Sequence, residues 1–261
     1  MEKDKNLQNK AIRPRRNLTY HRLELYGLLD ELIRIPIILL KGSPGLGKTT
    51  LLVSYTEFRN IPCLWYQMDE EDKDLDDFLN HLRNAVLGLV SHDGAGLPRM
   101  TLGRASNDDY QIGGYFKKLF SFLKKSFVIV FDDYHKLPKD SPLHDAIAEA
   151  GKMLPSWGRI VLIADDDSHV ELSHLRAQNM VAILDRDDLK LTKEEIKNIS
   201  ELHGVNLTPE QVALQLEGNA GGLVGVLTQK LKGEWRCMGR ERTKSSTMNN
   251  TENFMNMGGN C

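Results

Sequence analysis

The 261-residue sequence has no apolar run approaching the roughly 20 residues that cross a bilayer, which argues against a helical membrane span. The first residues, Met1-Glu2-Lys3-Asp4-Lys5-Asn6, are charged with no apolar core behind them, so they do not read as a signal peptide. Cysteine is scarce. Cys63, Cys237 and Cys261 are widely scattered, with neither metal-ligand spacing nor a disulfide framework. This points to a reducing cytoplasm, with Cys63 as a small buried apolar residue. The chain also lacks an excess of charge. A net charge of −2 gives no general attraction to nucleic acid or to an anionic membrane. What remains is ordinary for a globular protein: 41% hydrophobic and 27% charged residues, enough for one α/β domain plus a small appendage.

The rest of the chain is organised around Gly42-Ser43-Pro44-Gly45-Leu46-Gly47-Lys48-Thr49, which matches the phosphate-binding pattern G-x-x-x-x-G-K-S/T. Its context agrees. Ile35-Pro36-Ile37-Ile38-Leu39-Leu40 reads as a short buried strand ending at Lys41, and Thr50 to Tyr55 opens an apolar helix. Glycines let the backbone turn tightly and aim N–H groups inward, and the helix N-terminus adds positive charge at the same point. The motif predicts that the loop from Gly42 to Thr50 cradles ATP. Lys48 reaches the β- and γ-phosphates, and the Thr49 hydroxyl sits on Mg²⁺.

A second acidic half of the site is expected at the end of another buried strand. Ser126-Phe127-Val128-Ile129-Val130-Phe131 runs straight into Asp132-Asp133. That is the form of a Walker B strand, with Asp132 holding Mg²⁺ and Asp133 placed to polarise an attacking water.

The remaining pattern sets the architecture. Residues 1–19 read as a polar N-terminal arm centred on Arg13-Pro14-Arg15-Arg16. Either the arm is solvated or one of its arginines faces the nucleotide. Leucines 23, 25, 28, 29 and 32 recur at helical spacing. Cys63–Met68 is a further strand. The acidic turn after it, Asp69 to Asp74, is a capped helix start in preference to a metal site. Phe78 to Leu89 and Tyr110 to Leu123 give amphipathic helices, with a polar, Gly-containing surface loop, Ser91 to Ser106, between them. Ser141-Pro142 caps a helix over Leu143–Met153. Ile160–Ala164 and Val181–Leu184 are strands. Strands alternating with helices predict an α/β P-loop NTPase fold, a parallel sheet flanked by helices, over residues 20–187. From 188 to 232 the pattern is helical only, with capping boxes at Thr192–Glu195 and Thr208–Gln211. Residues 233–261 are polar and aperiodic and read as a disordered tail.

From Pro14 to Leu231 this order of features resembles the nucleotide-binding part of the maltose-regulator-like, ATP-dependent bacterial transcription activators of the LuxR family, which belong to the signal-transducing ATPases with numerous domains (STAND). Several local motifs carry the resemblance. Trp65-Tyr66 with Asp69, Asp72, Asp74 and Phe78 is similar to one family segment, and Asp132-Asp133-Tyr134-His135 looks like the family's form of Walker B. Leu172-Ser173-His174-Leu175-Arg176-Ala177, Leu189 with Thr192 and Glu194-Glu195, and Glu217-Gly218 with Gly222-Leu223 resemble further segments, although Asn219 stands where the family has Trp. The family carries Ser-Arg after the strand that follows Walker B. Here Ala164-Asp165 occupies that register, and an aspartate there opposes a triphosphate unless a metal or Arg159 compensates.

The resemblance implies a nucleotide-dependent switch, with nucleotide-dependent self-association as its expected readout, and the departure at Asp165 leads to the expectation of slow hydrolysis. The family continues into a helical-repeat sensor and a helix-turn-helix, for which this sequence shows no pattern. The expectation is therefore a truncated regulator or a stand-alone module that does not by itself bind specific DNA. The alternatives are an ATP-consuming remodelling ATPase and a non-functional fragment that still binds nucleotide.

Overall fold

Alternate residues along each central strand belong to different cores. In a computed structural model the described residues are 13–14, 20–89, 96–98, 108–165 and 172–217. Among them, a five-stranded parallel sheet runs in the order β2-β3-β4-β1-β5, from β1 (Ile37–Lys41), β2 (Cys63–Gln67), β3 (Phe127–Asp132), β4 (Gly158–Ala164) and β5 (Val181–Leu184). Ile37, Leu39, Ile129, Phe131, Ile160 and Leu162 face one core, whereas Ile38, Leu40, Val128, Val130, Val161 and Ile163 face the other. Both faces are covered, so the strands read as continuous apolar runs rather than alternating ones.

The helices follow from the order of strands. After β1 the chain moves to the far edge through α2 (Lys48–Phe58), which packs with α1 (Leu23–Glu31) on the second core. It then returns through α3 (Leu75–Leu89), α4 (Asp108–Phe120), α5 (Leu143–Met153) and α6 (Ser173–Ala177), whose buried residues lie in the first core. Reversing direction across a sheet at constant crossover handedness obliges the helices to change face. That rule accounts for both layers. The short helix α7 (Arg186–Leu189) follows β5, and buried Arg22 at the start of α1 donates to the Leu189 carbonyl at 2.9 Å.

Local chemistry sets the boundaries. β1 starts at Ile37, two residues later than the apolar run suggests, because Pro36 has no N–H for a ladder; its carbonyl accepts from Ile160 N at 3.0 Å. α3 is capped by Asp74, whose Oδ1 accepts from Asp77 N at 3.0 Å, and Asp69 and Asp72 accept from backbone N–H groups of the same turn. The acidic turn is thus a helix start, the preferred of the two readings. Ser141 Oγ accepts from Leu143 N at 3.3 Å ahead of α5. Cys63 is half-buried rather than buried, and burial pushes its thiol up to about 12, out of reactive range.

The chain divides into two compact units, one up to Leu189 and one from Lys190. In the second, α8 (Lys193–Leu202) opens on a reciprocal cap. Glu195 N donates to Thr192 Oγ1 at 3.2 Å and Thr192 N to Glu195 Oε2 at 2.9 Å. α9 (Pro209–Glu217) repeats it with Thr208 and Gln211, at 3.3 and 2.8 Å. The expectations for Arg15, Arg16, most of the 91–106 loop, Asn219, Gly222-Leu223 and the 233–261 tail lie outside the described residues.

Candidate nucleotide site

The loop between β1 and α2 needs glycine at two places. Gly45 and Gly47 have φ of 92° and 81°, a left-handed backbone that side chains disfavour. Gly47 leads directly into Lys48, the first residue of α2, and its carbonyl accepts from Leu51 N at 2.7 Å. Ser43 and Thr50 are half-buried, Pro44 and Gly45 exposed, and the Leu46 side chain is fully buried. Leu46 can therefore serve a phosphate only through its backbone. α2 buries Leu51 through Thr56 on all sides, which fixes the loop against the sheet.

The sheet brings the acidic half alongside. β4 lies between β1 and β3, so the residues after all three strands share one edge. Gly42 N donates to Ala164 O at 3.2 Å, tying the loop to the end of β4. Thr49 Oγ1 lies 3.3 Å from Asp132 Oδ2. Asp132 is only 5% exposed, and burial raises its carboxyl above the ordinary carboxylate range. The charge of Asp133 pushes the same way, while hydrogen bonds from Asp133 N and Thr49 and the charge of Lys48 oppose it. A buried carboxylate beside a hydroxyl, facing a glycine loop at a helix N-terminus, is a donor set that fits a hard divalent cation with a phosphate.

Lys48 is 7% exposed. Its ammonium donates to the Gly42 carbonyl, to the Ser43 carbonyl at 3.1 Å and to Asp165 Oδ1 at 3.3 Å. Asp165 Oδ2 lies 3.4 Å from His135 Nε2. Asp133 sits in a left-handed turn (φ 57°), which Asp tolerates better than most residues. Its Oδ2 accepts from Gln67 Nε2 at 2.7 Å and from Lys136 Nζ at 2.6 Å. Lys48, Thr49, Asp132 and Asp165 are thus brought together, while one oxygen of Asp133 is held by Gln67 at the end of β2 and Lys136 in the turn after β3.

Two arginines fall elsewhere. Arg13 donates to Val53 O at 2.6 Å and Thr56 Oγ1 at 3.0 Å and pairs with Glu57 at 3.1 Å, all on the C-terminal half of α2. It is engaged away from the loop. Arg159 lies near the start of β4, six residues and about 20 Å of strand before Asp165, so it does not offset that charge. Sequence reasoning missed Gln67 and the His135–Asp165 contact. Gln67 falls within the predicted Cys63–Met68 strand, but its place beside Asp132 comes from the pairing of β2 with β3, which no local pattern encodes.

No family model and no curated protein matches the chain. Solved structures do. One is a Signal Transduction ATPase with Numerous Domains with a tetratricopeptide repeat sensor, from Pyrococcus horikoshii. It is 17% identical with a TM-score of 0.58, covering 82% of this chain and 30% of that one. Others are a Walker-type ATPase of Pyrococcus abyssi (17%, 0.48, 90% and 75%) and Cdc6p from Pyrobaculum aerophilum (18%, 0.46, 76% and 52%). The chain has a P-loop ATPase fold. It spans under a third of the length of the Pyrococcus horikoshii protein. Among the described residues no helix is long and apolar enough to cross a membrane.

Proposed function

We propose that the chain is an ATP–Mg²⁺-binding module of the STAND class that works as a nucleotide-dependent switch and hydrolyses ATP slowly. One observation carries the reading: Lys48, Thr49 and Asp132, 83 residues apart in sequence between the last two, converge on the edge where a glycine loop meets a helix N-terminus. Lys48 would hold the β- and γ-phosphates, Thr49 and Asp132 the metal, and Asp133 would orient water. Bound Mg²⁺ would neutralise charge on the phosphates. The sequence resemblance to maltose-regulator-like transcription activators supports a regulatory role, and the fold likeness to a STAND protein is consistent with it. Specific DNA recognition by these residues alone is not part of the proposal.

Slow turnover follows from the site's charges. Phosphoryl transfer needs positive charge near the γ-phosphate, and a supplied arginine is worth about 10³–10⁵ in rate. Here the residue after β4 is Asp165, beside Lys48. The test is steady-state hydrolysis at saturating ATP, with the mass in solution measured with and without nucleotide. Bound ATP, turnover far below the about 1–100 s⁻¹ of kinases, and ATP-dependent association are expected. Turnover in that range without association would favour an ATP-consuming enzyme.

A further inference from the structure

An ammonium has three N–H donors, and those of Lys48 are matched by three oxygens. Two are carbonyls of the loop itself. The third, Asp165 Oδ1, is of another kind: it is anionic and comes from the end of a different strand. Its position is built in. β4 lies between the strand that leads to the loop and the strand that ends at Asp132, and the Gly42–Ala164 hydrogen bond fixes the residue before it against the loop. The other oxygen, Oδ2, faces His135 Nε2 at 3.4 Å.

We propose that Asp165 is an internal competitor for Lys48, and that it sets the nucleotide affinity of the site. The proposal rests on the nucleotide reading given above. A carboxylate oxygen on Lys48 occupies the kind of contact a phosphate oxygen makes. The two anions repel when held close together in a partly buried site. Phosphate therefore binds only as the Lys48–Asp165 pair opens. Asp165 is one-third exposed and faces His135 through its second oxygen, so a turn of the carboxylate suffices and β4 need not move. Asp165 thereby acts as an affinity-determining residue that disfavours the more highly charged ligand.

The test is a titration of the full chain with a fluorescent N-methylanthraniloyl derivative of ATP plus Mg²⁺. The proteins are wild type, Asp165→Asn, Asp165→Ser, Lys48→Ala and the Lys48→Ala/Asp165→Asn double variant, each with a melting curve. Asp165→Asn and Asp165→Ser should bind about tenfold more tightly than wild type. Lys48→Ala should lose most binding, and the gain from Asp165→Asn should vanish in the double variant. If Lys48→Ala is deficient while both folded Asp165 variants bind no better than wild type, the competitor role is overturned and the nucleotide site stands. If Lys48→Ala binds as wild type does, the nucleotide reading itself falls.

Discussion

Thr49 Oγ1, in the first turn of α2, lies 3.3 Å from Asp132 Oδ2 at the end of β3, at one edge of the sheet. The hydroxyl and the carboxylate are the pair proposed to hold Mg²⁺. Thr49→Ala should weaken Mg²⁺-dependent ATP binding by about tenfold or more, since losing even an outer partner of a metal costs 10–100-fold. Binding measured in excess chelator should change little. Equal loss with and without Mg²⁺ would assign Thr49 to the phosphates instead.

Asp132 makes a pH prediction. Burial raises its carboxyl in the folded protein above its unfolded value. The folded state therefore bears a cost when the group is charged. The cost is fully present above the folded value, is relieved as pH falls through it, and is gone below the unfolded value. Without nucleotide, Asp132→Asn should melt about 2–4 °C higher than wild type at pH 7. The advantage should shrink in acid. A constant difference across pH would remove burial of charge as its cause.

The second unit offers a simpler test. Thr192 and Glu195 each satisfy the other's backbone N–H at the start of α8. Thr192→Ala should cost about 1 kcal/mol, and Thr192→Ser should keep most of it. Equilibrium urea unfolding of the three proteins measures the difference. Indistinguishable curves would show that α8 does not depend on its cap.

Much of this architecture was legible because the controlling signals are local. Ile160–Ala164 and Phe127–Phe131 are apolar throughout since both faces of the sheet are covered, and Thr192 and Thr208 announce helix starts three residues ahead of their partners. Boundaries were less legible where backbone donors decide them, as at Pro36. The site was readable in its motif residues, whose spacing is short. Its cross-strand contacts were not. Gln67 with Asp133, and Asp165 with His135 and Lys48, depend on strand order, and order is set by crossovers that no local pattern encodes. Arg13 and Arg159 illustrate the converse: sequence offered both as neighbours of the phosphates, and packing placed them elsewhere.

Hydrolysis should respond to the charge after β4. Asp165→Arg removes the carboxylate beside Lys48 and supplies a cation at the same edge. Single-turnover hydrolysis should rise by about tenfold or more, below the ceiling of about 10⁵ seen when an arginine is supplied in full geometry. Intact ATP binding with no gain in rate would refute the role given to this position, as would fast turnover in the wild type.

The central claim is that Lys48 makes this a nucleotide site. Isothermal titration of ATP–Mg²⁺ into wild type and Lys48→Ala tests it most directly. Lys48 is buried at the N-terminus of α2 among the loop carbonyls, so its loss should weaken binding by about 100-fold, far more than that of a surface lysine such as Lys197. A wild-type isotherm that disappears in Lys48→Ala and persists in Lys197→Ala is the predicted result. Equal affinities in wild type and Lys48→Ala would contradict the account.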